Sequence, residues 1–346
     1  MDLSTITKYL QSLSLPAFRR RQIVKNYFSG HFTNFTQMTD LPLELRTTLD
    51  QNFPLLSVKE INLLSTTNSQ KALLKLKDGQ KIETVLLDYH DWLSVCASTQ
   101  VGCPLGCKFC ATGKMGFIRN LTSEEIVDQI IFWNNYLINR HCEKSSTKQS
   151  PQGGYPYVGR VAFMGMGEPF LNWDNLILAL NTIRSRDGLN LGNRKISIST
   201  AGIVPRIYEF ADLNTEINLA LSLHSAIQST REILMPIAQK YSLPDLLTAL
   251  HYYTHKTSRQ LFLEFAPIAD INDAQKEIDA LIKLLKSDKL FFLNLIPLNP
   301  VKGGLVPSTK LKLIEKQLTA AHIDYSLRHS LGQSINSACG QLATFS

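Results

Sequence analysis

The chain has 346 residues, 44% of them hydrophobic and 19% charged, with a formal net charge of +7. That balance belongs to a globular protein with room for one large domain and an appendage or for two modest domains, and it excludes membrane helices, because no apolar run approaches the ~20 residues a span needs. The opening "MDLSTITKYLQSL" lacks the charged lead, apolar run and small-residue cleavage site of a signal peptide, so a cytoplasmic protein without a membrane partner is expected.

Residues 1–55 read as short helices. In "LPAFRRRQIVKNYF", Phe18, Ile23, Tyr27 and Phe28 fall near one face, while Arg19, Arg20, Arg21 and Lys25 hold most of the rest. That basic run reads equally well as a solvated face or as an RNA contact. "LPLELRTTL" reads as a further helix with Pro42 in its first turn. Residues 56–90 form a linker and a β-hairpin: "KALLKLKDGQKIETVLL" is two alternating runs joined by Asp78-Gly79. Glu83 shares a strand face with Val85 and Leu87. A carboxylate there is either at a sheet rim or in a pocket that raises its pKa, and the run by itself favours the rim.

From residue 91 to about 330, strand and helix patterns alternate six times. The strands are "WLSVCAS", "RVAFMGMG", "KISIST", "INLALSLH", "LFLEFAPI" and "FFLNLIPL". Helices are expected at 122–136, 173–184, 204–212, 229–256 in two pieces, 273–286 and 308–321, the first opened by a Thr122-x-x-Glu125 capping box. Near-continuous apolar strands argue for a parallel sheet buried on both faces. Six units are too few for a complete eightfold barrel, so the fold expected is α/β, a partial (β/α)6 barrel. The run "HCEKSSTKQSPQGGYPYVG" reads as a surface loop in which Cys142 is a bystander. A strand-like "IDYSLRH" precedes a polar tail, 331–346.

Three of the six cysteines, Cys103, Cys107 and Cys110, crowd into eight positions with the spacing C-x3-C-x2-C. They follow the first barrel strand, on the edge where such barrels place active sites. Gly102 and Gly106 let the backbone fold tightly around them. A structural zinc site would want a fourth ligand and paired short spacings, and an iron–sulfur cluster commonly takes four cysteines. Three would leave one iron with an open position. Buried reduced cysteines suit a lone thiol better than three beside lysines.

With Phe109 just before the last cysteine, this spacing resembles the signature of radical S-adenosylmethionine enzymes, in which three cysteines hold a [4Fe-4S] cluster and the cofactor chelates the fourth iron. Outside it, "CASTQVGCPLGCKFCATGKMGFIRNLT", "FMGMGEPFLN", "SISTAGIVP", "LALSLHS", "LMPI" and "ACGQL" resemble, in this order, the motif set of the RlmN/Cfr family of RNA adenine methyltransferases. "FRRRQI" and "MTDLP" resemble that family's N-terminal helical accessory domain, so the resemblance covers nearly the whole chain.

The resemblance implies a chemistry that consumes two molecules of S-adenosylmethionine per turnover. The first methylates Cys339; the cluster on Cys103, Cys107 and Cys110 cleaves the second, and the deoxyadenosyl radical takes a hydrogen from the S-methyl group. The resulting carbon radical adds to adenine. Glu83 would be the proton acceptor, and Cys96 would release the product by forming a transient disulfide with Cys339. Gly167, Glu168, Ser199, Ser222, Leu223, His224 and Asn299 match the cofactor-binding positions. Read alone, "GMGEP" is equally a tight β–α connection.

The implied substrates are an adenosine of 23S rRNA and the adenosine 3′ of the tRNA anticodon. Either must leave its stack to be reached, with Arg19 to Arg21 and Lys25 holding the phosphate backbone. A flavodoxin-like reducing donor is a further implied partner. "ATGKMGFIRNLT" is closer to the C2-methylating branch, whereas Leu331 and Ser334 depart from that branch's usual tail. C2 is therefore the expected target and C8 the alternative; a zinc-containing RNA-binding protein is the alternative from another class.

Overall fold

A computed structural model describes residues 1, 3–144, 157–301, 304–328 and 331–343. Its N-terminal region comprises α1 (Leu3–Ser12), α2 (Ala17–Phe28) and α3 (Leu43–Asn52). Ile23 and Tyr27 of α2 are buried as their spacing requires, and buried Asn26 donates to Asp40 Oδ1 at 2.7 Å. Phe18 does not join them: it is exposed, with the Arg19 guanidinium 4.7 Å above its ring. Five residues along a helix put it about 140° from Ile23. Pro42 caps α3 from outside rather than sitting in its first turn.

The hairpin region holds three strands, β1 (Val58–Ser65), β2 (Ser69–Leu76) and β3 (Lys81–Asp88), in antiparallel order. Gly79, at φ +87°, supplies the left-handed residue of the expected turn between β2 and β3. β3 continues antiparallel onto β4 (Leu93–Cys96), the first barrel strand. After it come a small antiparallel pair, β5 (Gln100–Gly102) and β6 (Phe117–Asn120), with the short helix α4 (Ala111–Lys114) between them.

The β–α alternation then runs as α5 (Ser123–Lys144), β7 (Arg160–Phe163), α6 (Trp173–Arg184), β8 (Ile196–Thr200), α7 (Val204–Asp212) and β9 (Asn218–Ser222). It finishes with α8 (Gln228–Leu234), α9 (Leu243–Thr257), β10 (Leu261–Phe265), α10 (Gln275–Leu285), β11 (Phe291–Leu295), α11 (Leu311–Ala320) and β12 (Tyr325–Leu327). The ten-stranded sheet has the order β1-β2-β3-β4-β7-β8-β9-β10-β11-β12, parallel from β4 onward. The α/β fold expected from the sequence is thus the one observed. The strand-like run after the sixth unit adds a seventh parallel strand. α5 reaches Lys144, into the run expected to loop; the rest of that run up to residue 156, and the Cys142 side chain, lie outside the described residues.

The expected capping box forms at α5: the Thr122 amide donates to Glu125 Oε2 at 3.0 Å, and the Glu125 amide to Thr122 Oγ1 at 3.2 Å. One face of α5 lies on the sheet through fully buried Trp133. Its indole donates to Thr84 Oγ1 at 3.2 Å, and Thr84 in turn donates to the Cys96 carbonyl at 2.9 Å. Asp128, on the same helix, accepts from the Ser57 amide at 2.5 Å and from the Tyr27 hydroxyl, tying the N-terminal helices to the barrel. The larger of two apolar clusters runs from α1 through the barrel. The parallel strands place Cys96, Phe163, Thr200, Ser222, Phe265 and Leu295 at one carboxyl edge.

Candidate active site at the carboxyl edge of the barrel

The three-cysteine loop leaves β5 and enters α4. Gly102 has φ +73°, and a Cβ there would lie 1.9 Å from the Gly116 carbonyl oxygen, so β5 and β6 can close only around a glycine. The Cys103 amide donates to that same carbonyl at 2.8 Å, and the Cys110 amide to the Cys107 carbonyl at 3.1 Å. Lys108 donates its amide to the Leu234 carbonyl at 3.0 Å, which fixes the loop to the end of α8. All three thiols are half-buried and line one open cavity of about 970 Å³. Burial pushes the Cys103 thiol up to about 12 and Cys107 upward as well, with the neighbouring thiols adding to the shift of Cys107.

Glu168 faces them across this cavity. Gly167 before it has φ +96°, and a Cβ would stand 2.4 Å from Gln100 Cβ, so the chain passes against β5 only as glycine. The Glu168 carboxylate accepts from the Ala201 amide at 2.8 Å, the Phe170 amide at 3.0 Å and Thr200 Oγ1 at 2.7 Å. Burial outweighs these donors and raises its carboxyl to about 7. Ser199, Ser222, His224 and Asn299 line the same cavity, whereas Leu223 is a core side chain that does not. His224, at φ +54°, packs edge-on against Phe109 with ring centroids 4.3 Å apart, and burial drives it down to about 3, so it is neutral.

The sequence reading missed Glu264. Its signal was a lone carboxylate inside the apolar run "LFLEFAPI". Buried on β10, Glu264 accepts from Ser199 Oγ at 2.7 Å and Ser222 Oγ at 3.2 Å, and Arg328 stands 3.6 Å away.

Cys339 is exposed at the junction of this cavity with a second one, of about 730 Å³, that contains Cys96, Arg328 and Tyr89. Both thiols are free. Burial, and then the facing Cys339, push the Cys96 thiol up to about 12. The tail carrying Cys339 is docked. Its Cys339 carbonyl accepts from Asn299 Nδ2 at 3.0 Å, its Gly340 carbonyl from the Ala111 amide at 2.7 Å, and its Leu342 carbonyl from Thr112 Oγ1 at 2.6 Å.

Glu83 is buried, not at a rim, because its hairpin lies under this tail. Lys71 Nζ pairs with Glu83 Oε1 at 2.8 Å and also donates to the Asn336 carbonyl at 3.2 Å; Glu83 Oε2 accepts from the Ala343 amide at 2.9 Å. Burial raises its pKa against the opposing pull of Lys71. Glu83 lines neither cavity, so it is the one expected catalytic side chain that the fold does not bring to the site in this arrangement.

Three thiols on one short loop, sharing one cavity, fit a polynuclear metal centre. A structural zinc site would want a fourth ligand beside the three cysteines. A partial α/β barrel with such a loop beside a cofactor-sized cavity defines a metallocofactor enzyme of the barrel class.

Comparison with known proteins narrows the class. Residues 1–55 match the family described as ribosomal RNA large subunit methyltransferase N-terminal domain. The chain is 37% identical over 345 residues to a probable dual-specificity RNA methyltransferase RlmN of Clostridium botulinum (strain Alaska E43 / Type E3), covering 98% of this chain and 94% of that one. It is 37% identical over 344 residues to the protein of that description from Dictyoglomus turgidum, covering 99% and 94%. A crystal structure of a radical SAM methyltransferase from Sphaerobacter thermophilus superposes with a TM-score of 0.88 at 34% identity, covering 99% of this chain and 97% of that one. The chain belongs to the RlmN family of dual-specificity RNA methyltransferases.

Proposed function

We propose that this protein is a radical S-adenosylmethionine RNA methyltransferase that methylates C2 of one adenosine in 23S rRNA and of the adenosine 3′ of the tRNA anticodon. The observation that carries the reading is the position of Cys339, at the junction between the cavity of the three-cysteine loop and that of Cys96. Adenine C2 has no lone pair with which to attack a methyl sulfonium, so polar transfer directly to it fails. A thiolate does have one, and Cys339 reaches both cavities.

When bound on Cys103, Cys107 and Cys110, a [4Fe-4S] cluster supplies the electron that cleaves S-adenosylmethionine. Glu168 receives the cofactor's ammonium, and Gly167, Ser199, Ser222, His224 and Asn299 line its bed, with Leu223 contributing backbone only. Cys339 holds the methyl group that becomes bonded to adenine. Glu83 takes the proton from the adenine carbon once the tail has left it, and Cys96 attacks the Cys339 sulfur, forming a disulfide as the carbon–sulfur bond to the product breaks. The freed carbon takes up a proton to complete the methyl group, and the electron used in cofactor cleavage is returned. A reducing cytoplasm and a flavodoxin-like donor restore the thiols and supply the electron.

Residues 1–55 serve as the accessory RNA-binding domain through Arg19 to Arg21 and Lys25, and 56–90 join it to the core barrel, 91–330. The tail, 331–346, presents the methyl carrier. Mass spectrometry of rRNA and tRNA treated with reconstituted protein tests this. 2-Methyladenosine made by the wild type and absent with Cys339→Ala is expected. 8-Methyladenosine would overturn the C2 assignment, and full product from the variant would overturn the carrier thiol.

A further inference from the structure

Arg231, in the middle of α8, is 1% exposed. Its Nη2 donates to the Ala201 carbonyl at 2.7 Å and to Ser222 at 3.4 Å, while its Nε is buried without a partner. Among the described residues no carboxylate answers its charge. Buried Glu83 is met by Lys71 and Glu264 by Arg328 and two serines, while Glu168 and Glu277 have neutral donors only. A buried guanidinium facing only carbonyls is costly. The fold nevertheless makes room for it: Gly202 has φ +103°, and a Cβ there would lie 3.3 Å from Arg231 Nη2.

What surrounds Arg231 points to the missing partner. α8 packs on the cysteine loop: Leu234, one turn further along, accepts from Lys108, and Leu234 and Met235 share an apolar cluster with Leu105, against which Cys103 and Cys107 pack. Ala201 and Ser222, whose carbonyls the guanidinium holds, line the same cavity as Cys103, Cys107 and Cys110. Burial lowers the guanidinium only to about 10, so it stays charged at neutral pH.

We propose that Arg231 is the buried counter-charge of the iron–sulfur cluster on Cys103, Cys107 and Cys110, a positioning residue that favours the cluster's reduced state. This rests on the reading that those cysteines hold a cluster. Three thiolates outweigh a doubly positive core by one negative charge, and one-electron reduction adds a second. A fixed cation beside the site stabilises the reduced form more than the oxidised form.

The test is an anaerobic redox titration of the reconstituted full-length protein, read by the paramagnetic signal of the reduced cluster, for wild type, Arg231→Met, Arg231→Gln and Arg231→Lys. The Met and Gln variants are expected to lower the ratio of reduced to oxidised cluster at a fixed poise about tenfold, equivalent to about 59 mV, while Lys keeps it near the wild-type value. Thermal unfolding of the cluster-free Met variant is expected at or above the wild-type temperature, since an unanswered charge has been removed. If Met disrupts folding, Gln retains a donor for the carbonyls and gives the same readout. Equal potentials in wild type, Met and Gln would overturn the assignment, as would a Lys variant shifted as far as Met. Wild-type protein that takes up no cluster would overturn the cluster reading itself, which separates the two failures.

Discussion

Replacing Glu168 by Gln is expected to flatten the pH dependence of folding stability in the cluster-free protein. Glu168 is 4% exposed, and three donors do not offset its burial, so its carboxyl titrates at about 7 in the folded state against 4.5 in the unfolded chain. The folded state therefore binds the proton more tightly. The stability this contributes is fully present below pH 4.5 and is lost as pH rises to about 7. At about 1.36 kcal/mol per pH unit, that interval is worth about 3 kcal/mol. Gln carries no such proton, although its amide would face the Ala201 N–H and lower stability at every pH by about 1–3 kcal/mol. The slope is therefore the diagnostic quantity, and the level is not. In urea unfolding under reducing conditions, the wild type should lose about 2–3 kcal/mol more than Glu168→Gln between about pH 5 and pH 8. Parallel profiles would refute the argument. If Glu168 receives the cofactor's ammonium as proposed, that contact needs the ionised carboxylate, so S-adenosylmethionine affinity should rise with pH up to about 7, by as much as about tenfold per unit, and then level off.

Cys96→Ser should leave RNA covalently attached to the protein, seen as a slowed band on a denaturing gel; free methylated product at the wild-type rate would argue against a resolving thiol. Gly102→Ala must move a carbonyl that its Cβ would approach to 1.9 Å. A loss of about 2–4 kcal/mol is expected from overpacking and the left-handed backbone together, with iron binding lost too, as melting temperature and iron content would show. Lys71→Met removes the charge that holds the Glu83 pKa down, so it should rise further and move the rising limb of single-turnover RNA methylation to higher pH. An unmoved limb would contradict Glu83 as the base.

The parts of the fold legible in the sequence are those whose signal is local. The helices at 173–184 and 204–212 have the bounds their periodicity predicts, and the Thr122–Glu125 box forms because both partners lie within one turn. β1 was not legible: seven of its eight side chains are not buried, so no apolar alternation marks it. β5 is three residues long and exists because Gly102 allows a close approach. Lys71 sits in "KALLKLK" like any solvent-facing lysine. Its burial comes from Glu83 on the next strand and from a tail 265 residues away, which no local pattern records. Glu264 and Arg231 were overlooked for the same reason: each is read as a helix or strand charge until its partners, or lack of them, are seen in space.

The docked tail orders the chemistry. Lys71 and the Ala343 amide each hold one oxygen of Glu83, which lines neither cavity, whereas Cys339 lines both. On the proposed function, the docked arrangement would suit loading of Cys339 and would keep Glu83 from the adenine carbon. Asn299 reinforces this, because its amide is committed to the Cys339 carbonyl and to Gln333, 3.0 Å and 2.7 Å away. Movement of the tail would free Asn299 for cofactor and Glu83 for RNA in one step, since the same segment restrains both. The same stretch of tail thus touches both Asn299 and Glu83. Tightening the tail's contact with Ser69 or Lys71 should accordingly slow product release more than it slows methylation of Cys339.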